Sequence, residues 1–483
     1  MFEELKDIVG EKNFSDNLID RYIYASDASI HQSLPSVVVR PASAEEIQKI
    51  IRYANKEKIP VIARGAGTGE AGSAVPIDGG VVLDLKRMNK IKEIRIGDLL
   101  CRVEPGVVND ELNRELKESG FFFPPTPGSG KVCTIGGMIA NNASGIRAIK
   151  YGATRDSVLG LKVVLPQGEL VSLGTQTIIH SSGYQLARLI VGSEGTLGII
   201  VEATIRLKPL PEKRAVGKAV FHKLEDAGKA ISAIIAGGIT PSALEILDEI
   251  VIKAINKVFD IGLPEAEAMI LFECDGNEAS IDYEVSKIKK VCQEFNSFSI
   301  DISNDPEEME KIWEVRSSAF PASSRYKEDL VRVTLAEDVA VPVSKVSELV
   351  TGIHKIASKN GIIISTYGHA GEGLIHPNFL INPELSEQWE KAKKAASEVF
   401  AFAQSLGGTT SGEHGIGISK ASYFKKERKN SLDMMRRIKK ALDPNNILNP
   451  HKLMDAPEDF LTATKIRYRV NPVRESSLNG VKE

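Results

Sequence analysis

Apolar positions along the 483-residue chain fall into two rhythms: short unbroken runs, and stripes recurring every three to four residues. These are the signatures of buried strands and amphipathic helices. The run Val37 to Arg40 is followed by a stripe of Ile47, Ile50, Ile51 and Ala54, then by the run Val61 to Ala63. Ser43-Ala44-Glu45-Glu46 opens the stripe as a capping box, and Pro60 disfavours helical geometry just before itself, so the helix is predicted to end near Lys58. The product is a strand–helix–strand unit of a small α/β layer. Val81 to Leu85 and Leu99 to Val103 read as further strands, and Val107 to Ser119 as a helix stopped by Gly120. Leu161 to Leu165 and Glu169 to Leu173 flank a Pro-Gln-Gly turn as a hairpin, and Ile199 to Leu207 is another strand. Pro209 and Pro211 then mark a domain boundary.

Residues from Glu212 to Leu380 alternate between the two rhythms, with a helix over Leu224 to Ala236, a strand over Ala268 to Glu273 and a helix over Ile281 to Phe295. Ile362 to Ser365 and Leu374 to Ile381 read as a strand pair turning at Ala370 to Gly373. A long helix is predicted over Pro383 to Leu406, with Asn382 as its cap, Pro383 in first position and Gly407-Gly408 at its end. Asp443 to Pro450 closes the organised region. The stretch 454–483 is mixed in charge and weakly periodic, either a tail or a docking strand.

Three glycine-rich stretches interrupt the pattern. Pro60 to Gly72 (PVIARGAGTGEAG) follows a strand and can turn successive backbone N–H groups toward one point, a nest suited to a pyrophosphate. Gly67, Gly69 and Gly72 fit GxGxxG, but a dinucleotide fingerprint must open a helix, and Pro76 and a second strand follow instead. Ser73 stands where a Walker loop needs lysine. In the second stretch, Phe121 to Gly145, GSGK imitates a Walker loop, with Pro125 at the first glycine position and Val132 after the lysine. A nucleoside-triphosphate binder is thereby disfavoured. A long ordered loop of this kind is usually functional, and these two loops could close on one extended ligand from both sides; Gly192 to Gly198 is the third glycine loop.

A net charge of −3, with 26% charged residues and no long basic block, offers no footprint for nucleic acid. No run of about 18 apolar residues predicts a transmembrane span. Cys101, Cys133, Cys274 and Cys292 are scattered, which suits a reducing interior and excludes a compact iron–sulfur motif. The expected location is cytoplasmic, compatible with peripheral attachment to the inner face of the membrane.

Three of the eight histidines lie in two glycine-rich segments. The predicted strand pair folds His369 and His376 toward each other, and Gly412-Glu413-His414-Gly415 could add a third ligand and a free imidazole. His₂Glu with an open position is a catalytic zinc arrangement; the bare H-x6-H spacing is weak and by itself better suits histidines that only hydrogen-bond.

RGAGTG at Arg64, CTIGG at Cys133, KYGATRD at Lys150 and GSEGTLGII at Gly192 occur in this order. Together they resemble the FAD-binding domain of the vanillyl-alcohol-oxidase and p-cresol-methylhydroxylase (PCMH) superfamily. Within it, the likeness is to the FAD-linked subunit of glycolate oxidase and the D-lactate and D-2-hydroxyglutarate dehydrogenases. It runs from about Tyr24 to about Leu453. The resemblance implies an α+β fold. Residues 1–211 would form a two-subdomain PCMH-type FAD-binding domain and 212–420 an antiparallel-sheet substrate and metal domain. A helical segment, 421–453, would return to the flavin, and 454–483 would be a tail.

It further implies non-covalent FAD, held by Arg64, Gly65, Ala66, Gly67, Thr68 and Gly69 of the first stretch. Pro127, Gly128, Cys133, Thr134, Ile135, Gly136, Gly137, Asn141, Ala143 and Gly145 would serve from the second, Glu194, Gly195, Gly198, Ile199 and Ile200 from the third, and Asn449 from the closing segment. His369, His376 and Glu413 match ligands of a divalent metal, with zinc expected over manganese or iron. His414 matches the general base, Asn378 a residue beside the substrate, and Arg316 the arginine that grips its carboxylate. Arg325, Lys327 and Arg332 are candidates for a second cation. The family pattern H-x-G-D-G-N-x-H is broken, since Glu372 and Leu374 replace its Asp and Asn.

The implied reaction is oxidation of a D-2-hydroxy acid (D-lactate, glycolate or D-2-hydroxyglutarate) to the 2-oxo acid, with hydride passing to flavin N5. Electrons would go to a quinone, a cytochrome, an electron-transfer flavoprotein or an iron–sulfur partner subunit. A homodimer is compatible with the sequence. The rival readings are a non-redox FAD enzyme of the alkylglycerone-phosphate synthase type and a non-catalytic FAD subunit of a multi-subunit oxidase.

Overall fold

The computed structural model describes residues 2–467. Val37–Val39, Val81–Asp84 and Val61–Arg64 form a parallel core, with Phe14–Ser15 added antiparallel at one edge. The helix Ala44–Glu57 covers it with Ile47, Ile50, Ile51 and Ala54. Its start is fixed by Ser43 Oγ, which accepts from the Glu46 amide, and by the Glu46 carboxylate, which accepts from the Ala42 amide. It ends in a left-handed Lys58, two residues before the proline. The first glycine-rich loop therefore leaves the carboxyl end of a central strand.

A second sheet is antiparallel, in the order Leu170–Gly174, Val158–Val164, Ile199–Arg206, Leu100–Val103, Ile91–Arg95. The second glycine-rich stretch packs on it and is more ordered than its composition suggests. Ile135–Asn141 is a helix capped by Thr134, whose Oγ1 accepts from the Gly137 amide, and Phe121–Phe122 pairs with Lys208–Pro209.

The remaining large sheet has eight antiparallel strands. Seven run in the order Ser297–Ser303, Lys213–Phe221, Ala268–Gly276, Ala243–Asp248, Ile363–Gly368, Leu374–Ile381, Val331–Val333, and Val339–Ala340 also pairs with Leu374–Ile381. Alternation along the strands divides the core in two. Ala219, Ile246, Ile270 and Phe272 meet the helices Leu224–Ala236, Glu278–Glu294, Val346–Asn360 and Ser386–Ser405 on one face. Val220, Leu247, Met269 and Leu271 meet Glu249–Phe259 and Pro306–Ser323 on the other.

The long helix begins at Ser386, not Pro383. Asn382 does not cap it: its side chain accepts from the Glu384 amide, Gln388 Oε1 accepts from the Asn382 amide, and Trp389 Nε1 donates to the Pro383 carbonyl. Side chains thus consume the groups that a first helical turn would use. After the helices Ala421–Glu427 and Leu432–Leu442 the chain returns to the first sheet, where the Val61 amide donates to Ile447 O and the Asn449 amide to Val61 O. Lys465–Ile466 pairs with His31–Gln32, so part of the weakly periodic C-terminal stretch is a docked strand. The rest of that stretch, 468–483, lies outside the described residues.

Gly352 faces the Phe402 ring where two of these helices meet, and a Cβ there would stand 2.0 Å from a ring carbon. Alanine gains about 1 kcal/mol in helix propensity, and overpacking costs about 1–3 kcal/mol. Gly352→Ala is expected to destabilise the protein, read as a lower urea midpoint with an unchanged slope.

Candidate active site

The glycine-rich stretches converge on a cavity of about 1070 Å³ that extends to the eight-stranded sheet. Arg64 to Gly69, Pro127, Gly128, Cys133, Thr134, Gly136, Gly137, Asn141, Ala143, Glu194, Gly195, Gly198 and Ile200 all border it, as do Arg316, His369, His376, Glu413 and His414. Five expected site residues do not. Ile135 and Ile199 are packed into the cores of the two FAD-side layers. Gly145 is pressed against the Thr126 carbonyl, which a Cβ would meet at 2.0 Å. Asn449 stands behind the wall, its Nδ2 donating to the carbonyls of Ser73 and Glu194. Asn378 is fully buried and reaches the cavity through its neighbours: Arg332 Nε donates to its Oδ1, and its Nδ2 donates to the His376 carbonyl. It is therefore a positioning residue.

At the sheet end, the Ile363–Gly368 and Leu374–Ile381 strands pair with Tyr367 opposite His376, and a short helical turn at Ala370–Glu372 joins them. His369 Nε2 lies 3.3 Å and His376 Nε2 3.5 Å from Glu413 Oε1. Each outer ring nitrogen is already engaged: His369 Nδ1 with Glu245 Oε1 at 2.7 Å, and His376 Nδ1 with the Glu337 carbonyl at 2.9 Å. Such partners set the tautomer and aim Nε2 inward.

The loop carrying Glu413 and His414 is held by two carboxylates distant in sequence. Asp338 accepts from Ser411 Oγ, from the amides of Gly412, Glu413 and His414, and from Lys420 Nζ. Glu194 accepts from the amides of Ile416 and Gly417 at 2.7 and 2.8 Å and from Ser73 Oγ. His414 stacks on His376 with ring centroids 5.2 Å apart, and its Nδ1 is 3.6 Å from Glu337 Oε1. Asp338, His376 and His414 also cluster closely, but Asp338 is saturated by these donors and leaves no lone pair for an ion.

Arg316, on the helix Pro306–Ser323, donates Nε to Glu245 Oε2 and lies 4.7 Å over the Tyr367 ring. Arg332 lies 4.2 Å over the Phe320 ring and donates Nη2 to Glu70 at 2.8 Å. Of the three second-cation candidates, Arg332 borders the cavity, and Arg325 and Lys327 do not. Leu374, at one departure from the family pattern, packs against Gly412. Glu372, at the other, is pushed up to about 8 by burial.

Residues 35–174 match the model of an FAD binding domain, and residues 210–453 that of the C-terminal domain of FAD linked oxidases. The glycolate oxidase subunit GlcD of Bacillus subtilis (strain 168) is 39% identical over 93% of this chain and 96% of its own length. The mitochondrial D-lactate dehydrogenase [cytochrome] of Arabidopsis thaliana is 36% identical over 94% of this chain and 80% of its own length. The solved structure of 4-ethylphenol oxidase from Gulosibacter chungangensis superposes with a TM-score of 0.78 at 19% identity, covering 95% of this chain and 97% of that one, a likeness of fold.

The chain belongs to the FAD-linked oxidases.

The residues present fit that cofactor. The Arg64 guanidinium is buried at the start of the first glycine loop, on the cavity wall, with Nη1 lacking a partner among the described residues, an unsatisfied cationic donor of the kind a pyrophosphate would accept from. Gly65 lets the first loop approach the second, since a Cβ there would lie 2.2 Å from Thr134 Oγ1. Among the described residues of this FAD-linked oxidase, no helix is long and apolar enough to cross a membrane.

Charge counting bears on the ion. Five largely buried carboxylates (Glu70, Glu245, Glu337, Asp338, Glu413) meet three cations (Arg316, Arg332, Lys420), a deficit of two. Two protons or one divalent cation would cancel it. Burial opposes protonation of His369, but Glu245 and Glu413 outweigh it and hold the ring at about 10. At His414 burial is likewise outweighed, by Asp338 and Glu337, giving about 9. His376 is lowered to about 4 by burial and by its neighbour His414. The donor set therefore fits a divalent ion that displaces those protons.

Two outcomes follow for the purified protein. Arg64→Ala is expected to raise the dissociation constant for FAD by about 10–100-fold, as loss of a charge-assisted contact should, measured by fluorescence titration of the apoprotein. Adding Zn²⁺ below pH 9 is expected to release about two protons per ion, since His369 and His414 hold theirs up to about 10 and 9. Affinity should rise with pH, as calorimetry in buffers of different ionisation enthalpy would register. An ion taken up with no proton release would contradict the charge count.

Proposed function

We propose that this chain oxidises small D-2-hydroxy acids to 2-oxo acids, using FAD and passing electrons to an acceptor other than NAD or NADP. One observation carries the reading: His414, Arg316 and the His369–His376–Glu413 trio border the cavity that the FAD-binding loops line. The printed names of the relatives, a glycolate oxidase subunit and a D-lactate dehydrogenase, point to the same substrate class.

When bound, FAD supplies a hydride acceptor and a divalent ion in the His₂Glu trio a Lewis acid. The protein supplies orientation and proton control. Arg316 offers the guanidinium fork that matches a carboxylate, fixed by Glu245 on one side and the Tyr367 ring on the other. Arg332 offers a second cation, held by Asn378. His414 takes the proton of the substrate hydroxyl. It must be neutral to do so, and positive charge beside His376 would bring it down from about 9. Asp338 and Glu194 keep the base in place by holding the amides on both sides of it.

A non-redox FAD enzyme would leave the flavin oxidised with any hydroxyacid, and a non-catalytic subunit would have no use for a trio of potential ligands whose outer nitrogens are fixed. The deciding experiment is a panel of 2-hydroxy acids of both hands, assayed with an artificial dye and by anaerobic bleaching of the flavin. D-lactate or glycolate is expected to bleach it and L-lactate not. His414→Ala should lose about 10²–10⁴ in turnover while keeping the yellow cofactor. Wild-type turnover in that variant would remove His414 from its role.

A further inference from the structure

We infer that Glu70 restricts the site to substrates carrying a single carboxylate. The inference deepens the hydroxyacid reading above and rests on it. Glu70 is the one acidic residue of the Pro60–Gly72 stretch, and it borders the cavity together with His414, Arg316 and Arg332. Its carboxylate crosses from the FAD-binding side to the eight-stranded sheet, where Oε2 accepts from Arg332 Nη2 at 2.8 Å. The Glu70 side chain keeps 18% of its exposure, against 8% for Arg332, so the carboxylate faces the cavity rather than lying sealed behind the guanidinium.

Arg332 does not depend on Glu70 for its position. Nε donates to Asn378 Oδ1, and the guanidinium stacks on Phe320. Glu70 therefore places an anion in a cavity that must admit an anionic substrate, where its charge also reaches His414, although Arg332 does not need it to be held in place. The contrast with Glu245 is informative: that carboxylate also pairs with a cavity arginine, but it is fully buried, where it engages His369 Nδ1. Glu70 half-neutralises the second arginine and, being ionised, can only accept hydrogen bonds. A methyl group or a hydroxyl donor on the substrate tail is compatible with it. A second carboxylate there would meet like charge at low dielectric, the repulsive element that specificity commonly needs.

The test compares wild type with Glu70→Gln and Glu70→Asp, all carrying FAD. Pyruvate and 2-oxoglutarate are titrated into each oxidised protein and followed by perturbation of the flavin spectrum, and D-lactate and D-2-hydroxyglutarate are assayed for turnover. Glu70→Gln is expected to tighten 2-oxoglutarate relative to pyruvate by about tenfold, with kcat/KM moving likewise through KM, and Glu70→Asp to keep the wild-type ratio. An unchanged ratio in Glu70→Gln, an equal shift in Glu70→Asp, wild-type preference for 2-oxoglutarate, or no response to either acid in any of the three overturns the proposal. A ratio that shifts in binding while no hydroxyacid is oxidised leaves the charge selection standing and removes the proposed reaction.

Discussion

Two buried carboxylates hold the segment from Ser411 to Gly417 in place, and the chemistry of the cavity depends on that grip. The segment has neither a helical nor a sheet ladder to satisfy its amides, yet buried N–H groups need acceptors. Asp338 takes three of them and Glu194 two more. Burial opposes ionisation of Asp338, but the fully buried Lys420 keeps it charged, and so it makes stronger bonds than a neutral carbonyl would. A loop with no regular structure is thereby made as definite as a strand.

The two carboxylates come from different layers. Asp338 precedes Val339–Ala340, which pairs with the His376 strand, whereas Glu194 belongs to the third glycine-rich stretch on the FAD-binding side. The loop therefore sits at the seam, and Glu413 and His414 are aimed from both sides. The surplus of buried negative charge around them has the same origin. Carboxylates placed to hold backbone and imidazole leave a centre with more anions than cations, and His₂Glu at its middle offers the place to correct that.

Much of the architecture was legible from periodicity. The strand Leu374–Ile381 and the helix Leu224–Ala236 fall where the pattern puts them, because each buries a continuous apolar face bounded by turn residues. The long helix starts later than expected because Asn382 and Pro383 make a good cap on paper, and the bonds that divert them come from Gln388 and Trp389 in the helix's own first turn, which residue spacing does not report. The site was half legible. Glycine spacing marked the loops and the family resemblance marked the trio, but Glu245 and the Glu337–Asp338 pair left no signal. A carboxylate inside an apolar strand looks like ordinary alternation until pairing of the Ala243–Asp248 and Ile363–Gly368 strands brings Glu245 to His369. Asn378 and Asn449, expected at the site from the family resemblance, stand behind the cavity surface in contact with residues that line it.

Asp338 lies 76 residues before His414, and Glu194 lies 222 residues before Ile416. Transplanting the GEHGIG hexapeptide into another protein would thus move the carboxylate and the imidazole but leave behind the anions that orient them. Anyone rebuilding this loop elsewhere must carry three widely spaced pieces of sequence together: the hexapeptide itself and the surroundings of Asp338 and of Glu194.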